Sequence, residues 1–282
     1  MALVEQVKKK FTPKNTLNDL TSSEWLKSTR SWFMLRPKGR DTKITHPASF
    51  PEELVANFIQ FFTKKNSLVC DPFLGSGTTT LVSRQIQRNA IGIELNKKYF
   101  QLSQQRLDEV PENNTKQLVL HEDSRNIKKI FQKNGIPECD FCITSPPYWN
   151  QLKNVGNRNT RDRKSSREKI NLDTDYGDNA KDLGLIDDYE KFLEEQTQIF
   201  DQVYNIMKMK SYLVVITNNV YQKGRLWPLA FDTLKHLSKK WVPKDEQIWC
   251  QDSRKLHPFG MLHSYVGNRS HHYCLIFRKE SN

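Results

Sequence analysis

Two short stretches of this chain have residue types and spacings suited to chemistry. The first is Asp71-Pro72-Phe73-Leu74-Gly75-Ser76-Gly77-Thr78-Thr79, entered from the apolar run Ser67-Leu68-Val69-Cys70. Two glycines with one residue between them let the backbone turn sharply and approach a ligand closely, because neither carries a Cβ. A helix beginning behind them offers unpaired N–H groups to a carboxylate or phosphate. The second is Thr144-Ser145-Pro146-Pro147-Tyr148-Trp149, which also follows a short apolar run, Phe141-Cys142-Ile143. Two loops of this kind at the ends of two strands would frame one cleft, which points to an enzyme. Between them, Glu94 ends the run Ala90-Ile91-Gly92-Ile93, 17 residues past Gly77. An acid at the tip of a second strand is where an α/β nucleotide site hydrogen-bonds ribose hydroxyls.

The elements that must position these residues can be read from periodicity. Leu54, Val55, Phe58, Ile59 and Phe62 recur at spacings of three and four behind Pro51, predicting an amphipathic helix over Glu52–Thr63. The proline-bounded His46–Pro51 leads into it as extended chain. Helices are predicted from about Thr79 to Gln87, Tyr99 to Glu109, Asp187 to Lys208 and Trp227 to Leu237, with a helix-like stretch over Asn18–Thr29. Strands are predicted at Ala90–Glu94, Gln117–His121, Phe141–Ile143, Ser211–Thr217, within Trp241–Trp249, and at His271–Phe277. This alternation argues an α/β fold with a doubly wound, mostly parallel sheet.

The chain has a net charge of +12 and a pI near 9.4, a balance that favours a polyanion such as nucleic acid or an anionic membrane face. Its cations are concentrated. Arg30-Ser31-Trp32-Phe33-Met34-Leu35-Arg36 interleaves cations with aromatics, which suits phosphate contact and base stacking, or equally an arm packing Trp32 and Phe33 on the core. Apolar periodicity fails over 150–181, and within Lys153–Lys169 the cations Lys153, Arg158, Arg161, Arg163, Lys164, Arg167 and Lys169 outnumber Asp162 and Glu168. A long polar loop after a catalytic strand reads as a phosphate-contacting or lid element. Residues 251–270 are irregular and carry Arg254, Lys255, His257, His263 and Arg269. The five cysteines (70, 139, 142, 250, 274) read as core thiols in a reducing compartment, the Cys139–Cys142 pair included, and no metal is expected. No apolar run of about 18 residues or signal-peptide pattern is visible, so a cytoplasmic, nucleoid-associated location with no membrane partner is expected.

Taken together, the glycine stretch and Ser145-Pro146-Pro147-Tyr148 resemble the motifs of DNA amino-methyltransferases that use S-adenosyl-L-methionine (AdoMet). The flanks Ala90-Ile91-Gly92-Ile93-Glu94-Leu95-Asn96-x-x-Tyr99 and His46-Pro47-Ala48-x-Phe50-Pro51 are similar to the β group of that family. In that group the catalytic motif usually precedes the glycine motif. Here the order is reversed, so the chain looks like a circular permutation. The resemblance covers roughly 46–150 closely and the rest loosely. It implies a Rossmann-like class I AdoMet methyltransferase domain over 46–282, an N-terminal arm over 1–45, and double-stranded DNA as partner. A cognate restriction endonuclease would accompany it.

The same resemblance assigns roles. AdoMet would lie over Asp71, Phe73, Gly75 and Gly77, with Thr78 and Thr79 near its carboxylate, Glu94 on the ribose, and Asp123 and Ser124 beside the adenine. Ser145, Pro146, Pro147 and Tyr148 would be catalytic. Contacts to DNA would come from Arg30, Trp32, Arg36, Lys153, Arg158, Arg161, Arg163, Lys164, Arg254 and His257. An exocyclic base amine is a poor nucleophile because its lone pair is delocalised into the ring. The Ser145 hydroxyl and the Pro146 carbonyl could accept its hydrogens and turn that lone pair toward a methyl donor, while Tyr148 stacks on an extruded base. Serine at the head of the motif resembles enzymes acting on N4 of cytosine; adenine N6 and an RNA amine are alternatives. A dinucleotide oxidoreductase would want a third glycine where Thr80 stands.

Overall fold

A computed structural model describes residues 15–35, 50–151, 179, 181–252, 256 and 265–281. Its centre is an eight-stranded sheet in the order β1-β9-β10-β6-β5-β2-β3-β4. The strands are β1 Trp32–Met34, β2 Leu68–Asp71, β3 Asn89–Glu94, β4 Gln117–His121, β5 Cys139–Thr144, β6 Met207–Thr217, β9 Val242–Cys250 and β10 His271–Arg278. Only β10 runs against its neighbours, β6 and β9, and the other pairings are parallel. The doubly wound, mostly parallel sheet expected from the sequence is therefore present. From β2 the chain proceeds to β3 and β4 on one side and later to β5 and β6 on the other. That makes the β2/β5 junction the switch point, where a crevice opens at the carboxyl ends of the strands.

Helices cover both faces. On one, α2 (Glu52–Phe62) buries Leu54, Val55, Phe58, Ile59 and Phe62 together with Leu81 and Val82 of α3 (Thr78–Gln85) against Val69, Phe141, Ile143, Val214 and Ile216. Burial of each such side chain is worth roughly 1.5–3 kcal/mol, so this face alone fixes the sheet's register. On the other, α5 (Ile127–Lys133), α6 (Tyr189–Asn205) and α7 (Leu229–Leu237) pack Ile127, Phe131, Phe200, Val203 and Leu237 over Cys70, Cys142, Leu213 and Val215. The helix α4 (Lys97–Asp108) is opened by Asn96, whose side chain accepts from the Lys98 and Tyr99 N–H groups. Cys70, Cys139, Cys142 and Cys274 are buried core residues.

Three features differ from the sequence reading. In the aromatic segment behind Arg30, Trp32–Met34 form edge strand β1 on β9 and Phe33 packs on the core, the second of the two readings of this segment, while the boundary at residue 45 lies outside the described residues. A short helix α1, Ser22–Ser28, precedes it with a Thr21–Glu24 capping box. A hairpin of β7 (Val220–Gln222) and β8 (Arg225–Trp227) lies where the sequence suggested only a connection, and α7 accordingly begins at Leu229 rather than Trp227. Third, α5 fills a stretch with no predicted element; with seven residues it is too short to show a clear period.

One glycine outside the motif sets the geometry of the sheet beneath it. A Cβ on Gly92 of β3 would lie 2.5 Å from Leu74 Cδ2 and 2.8 Å from its Cγ. Leu74 is buried and its N–H donates to the Ile93 carbonyl, 3.0 Å, so the glycine turn is pressed onto β3 at this point. Gly92→Ala is expected to destabilise the fold by about 2 kcal/mol through overpacking, measured by urea denaturation.

Candidate active site

The site is organised by one buried carboxylate at the end of β2. Asp71 Oδ1 accepts from the Phe73 N–H (3.0 Å) and from the Thr144 hydroxyl (2.6 Å), and Oδ2 accepts from the Thr79 hydroxyl (2.6 Å). Thr144 is the residue before Ser145, and Thr79 lies in the first turn of α3. A single side chain thus ties the glycine turn to the Ser-Pro-Pro-Tyr loop. Burial pushes the Asp71 carboxyl up to about 6, against the pull of the Thr144 and Thr79 hydroxyls and the Phe73 N–H. The sequence placed Asp71 among the cofactor contacts; its recorded bonds are all to protein donors.

Gly75 and Gly77 both have positive φ, 57° and 84°, which L side chains rarely adopt. A Cβ on Gly77 would meet Ser103 Cβ of α4 at 2.7 Å, so the turn can sit flat against that helix only as glycine. Arg106, also from α4 and unremarked in the sequence, closes the turn from behind. Its Nη1 donates to the Ser76 carbonyl (2.6 Å) and to the Ser76 and Thr78 hydroxyls (both 3.2 Å). Thr78 and Thr79 are buried with their hydroxyls engaged inside the protein, the first by Arg106 and the second by Asp71. Phe73 is partly exposed and packs on Phe200.

Glu94 ends β3 beside the turn. Its Oε2 accepts from the Gly75 N–H and its Oε1 from the Asn96 N–H, each 2.7 Å. Each oxygen keeps a second lone pair, an acceptor set that fits the two hydroxyl donors of a vicinal diol. Burial pushes this carboxyl up to about 7, with Asp182 and Asp71 adding to the rise and the two N–H groups opposing it. At the end of β4, Asp123 caps a short 3₁₀ turn through the Arg125 N–H (3.0 Å), and the buried Ser124 hydroxyl donates to the Pro72 carbonyl (2.5 Å). Ser124 thus braces the glycine turn.

At the end of β5, Ser145 and Tyr148 are partly exposed while Pro146 is buried. The Ser145 hydroxyl lies 3.5 Å from the Tyr148 hydroxyl, which lies 3.2 Å from His272 Nδ1 of β10. His272 in turn stacks on Trp249 with centroids 4.8 Å apart. The loop is anchored below by Trp149, which is buried at φ 52° and meets Tyr189 (5.1 Å) and Trp227 (4.9 Å). Asn150, expected as the start of a polar loop, is buried: its Nδ2 donates to Asp187 Oδ1 and its Oδ1 accepts from Gln222 Nε2, both 3.0 Å. At the end of β6, beside β5, Thr217 Oγ1 and, one residue beyond the strand, Asn218 Oδ1 are buried without a hydrogen-bond partner. Arg106 and Gln222 were not singled out from the sequence, because each acquires its place through contacts remote in the chain; Trp149 was read only as the end of the motif stretch, and Thr217 and Asn218 carry no motif.

Of the residues expected to touch DNA, Arg36, Lys153, Arg158, Arg161, Arg163, Lys164, Arg254 and His257 lie outside the described residues. Arg30 is exposed, and Trp32 is 58 % exposed on the edge strand. Trp32 is in register with Ile248, Tyr273 and Thr217, so it lies at the level of the site but four strands from β5, about 19 Å away.

This arrangement finds its counterpart in a family of known enzymes. The model of the N6_N4_Mtase family, a DNA methylase, matches residues 4–105 and 139–282, which is most of the chain and includes both motif loops. The chain belongs to this DNA methylase family. Among curated relatives, the type II methyltransferase M.BglII of Bacillus subtilis is 32 % identical over 91 residues, which is 32 % of this chain and 24 % of that protein. The type II methyltransferase M.HinfI of Haemophilus influenzae is 40 % identical over 78 residues, 28 % of this chain and 22 % of its own length. The aligned part is thus about a quarter of these relatives. NSun6 from Pyrococcus horikoshii shares the fold, with a TM-score of 0.50 at 12 % identity over 84 % of this chain and 53 % of its own. The cofactor of this methylase is AdoMet, and the glycine turn and the free lone pairs of Glu94 fit it. Among the described residues no helix is long and apolar enough to cross a membrane.

Two outcomes follow from this geometry. Asp71→Ala leaves two buried hydroxyls and an N–H without their acceptor, and is expected to cost about 3 kcal/mol in urea denaturation. A carboxylate accepts hydrogen bonds from hydroxyl groups best when ionised, and a ribose held by Glu94 would depend on that state. The free carboxyl of Glu94 takes up a proton as pH falls through about 7, so AdoMet affinity should fall with it. Isothermal titration across that range should show the slope in the wild type and a flat profile in Glu94→Gln.

Proposed function

We propose that this protein is a site-specific DNA methyltransferase that moves a methyl group from AdoMet to the exocyclic N4 of cytosine in a base flipped out of double-stranded DNA. The observation that carries the reading is the Asp71 clasp. It holds the Ser145-Pro146-Pro147-Tyr148 loop against the glycine turn across the switch point of the sheet. When bound, AdoMet supplies an electrophilic methyl group on a sulfonium. The chain's own residues position the other reactant. With its proton turned toward the Tyr148 hydroxyl, Ser145 Oγ presents lone pairs as an acceptor to the base amine. The Pro146 carbonyl is the second acceptor, and prolines at 146 and 147 bring no competing N–H.

Drawing both amine hydrogens away from the ring plane frees the nitrogen lone pair for attack. Alignment supplies most of the rate, with no strongly shifted base required. The His272–Tyr148 contact steadies the ring that would stack on the extruded base. Thr217 Oγ1 and Asn218 Oδ1, buried without partners at the end of the neighbouring strand, suit hydrogen bonds to that base's edge. Serine rather than an acid or amide at position 145 favours cytosine. The type II relatives support a cognate restriction endonuclease as its partner in a restriction–modification system, and the proposed DNA contacts come from the arm, the basic segment 150–181 and 251–270.

The test is to incubate the protein with AdoMet carrying a tritiated methyl and unmodified duplex DNA, then identify the labelled nucleoside. Label in N4-methylcytosine is expected, falling by at least about a hundredfold in Ser145→Ala while AdoMet affinity holds. Label in N6-methyladenine would reverse the base assignment, and label confined to RNA would overturn the DNA reading.

A further inference from the structure

Immediately beyond β6 the chain doubles back in the β7–β8 ribbon, with Gln222 opposite Arg225 and a two-residue loop, Lys223-Gly224. Both loop residues have positive φ, 51° and 75°, as a type I′ turn requires. Asn-Gly is the favoured pair for such a turn. A lysine in the left-handed region costs about 1 kcal/mol, so local folding does not account for Lys223.

Both ends of the ribbon are fastened to the Ser-Pro-Pro-Tyr loop. Gln222, which flanks the turn, donates to Asn150 Oδ1 (3.0 Å), and Trp227 at the open end packs on Trp149 with centroids 4.9 Å apart. These partners follow Tyr148 directly in the sequence, so the turn is held beside that motif. Its tip is exposed over Lys223, Gly224, Arg225 and Leu226, with Leu226 49 % exposed. The Arg225 guanidinium carbon lies 3.8 Å from the centre of the Trp227 ring, which holds that charge in place. Neither Lys223 nor Arg225 pairs with a carboxylate among the described residues. Two cations without a carboxylate partner on an exposed, anchored turn form a surface for an anionic, extended partner.

We propose that the β7–β8 ribbon grips the phosphate backbone of the target duplex next to the flipped base, through Lys223 and Arg225. The inference rests on the DNA methyltransferase reading above and adds a contact element to it. The ribbon sets how far from the catalytic loop the backbone is held, and so helps to hold the extruded nucleotide over Ser145.

Lys223→Asn separates this role from a structural one. It removes the charge and installs the favoured Asn-Gly turn, so thermal stability should hold or rise. Fluorescence anisotropy would be read with a duplex carrying the site that the wild type methylates, at saturating S-adenosylhomocysteine and over a range of salt. A roughly three- to tenfold weaker affinity is expected, with the salt slope reduced by about 1, and the same change in Arg225→Gln. The affinity for S-adenosylhomocysteine alone should not move. Unchanged duplex affinity and slope in both variants, beside a wild type that binds and methylates DNA, would overturn the ribbon assignment alone. A wild type that methylates no DNA would overturn the reading beneath it. Loss of affinity confined to RNA duplexes would overturn DNA as the partner.

Discussion

The Asp71 carboxylate is the interaction on which the site depends. It lies at the end of β2, at the one place in the sheet where consecutive strands part to opposite sides. Two loops that must cooperate therefore begin on neighbouring strands and have no covalent reason to keep a fixed distance. Hydrogen bonds from Thr79 and Thr144 to the same carboxylate supply that distance. Hydrogen bonds to an ionised acceptor in a dry environment are short and strong, but the same dryness makes the charge costly, hence a carboxyl raised to about 6. The donors hold the acid in use near neutral pH, and the acid holds the donors in place.

Around this clasp, the glycine turn is shaped as much by exclusion as by attraction. Ser103 leaves no room for a Cβ at Gly77, and Leu74 leaves none at Gly92. Arg106 then takes up the inward-facing carbonyl and hydroxyls of Ser76 and Thr78. The turn therefore carries no side chain with room to fill the space above it, an arrangement suited to close approach by a ligand. Glu94 is held in the same way, one backbone N–H on each oxygen, with capacity left for hydroxyl donors.

The catalytic loop is supported from the opposite face. Trp149 sits in a left-handed conformation that costs about 1–2 kcal/mol and persists because it is packed between Tyr189 and Trp227. Asn150 extends that support to α6 through Asp187 and to the hairpin through Gln222. Rigid packing under a loop that must present two acceptors in a fixed geometry is what alignment-driven catalysis needs. It also couples the hairpin's position to that of Ser145.

The sequence by itself determined the parallel α/β sheet, the glycine turn and the Ser-Pro-Pro-Tyr loop. Those signals are local: apolar runs bounded by turn residues, helical spacing in α2, and glycine where φ must be positive. Glu94 was legible for the same reason, as an acid at the end of a buried run. Trp32 was read as an arm because a three-residue strand has no period to detect; pairing with β9 decides it. The hairpin went unseen because Lys-Gly is a weak turn signal. The bonds of the Asp71 and Ser124 side chains to Thr79, Thr144 and the Pro72 carbonyl were not legible, because these partners come close only once the chain has folded. Arg106 and Gln222 had no sequence signal at all, and the anchoring roles of Trp149 and Asn150 had none either. Their roles rest on contacts between residues tens of positions apart, and tertiary packing alone creates those contacts.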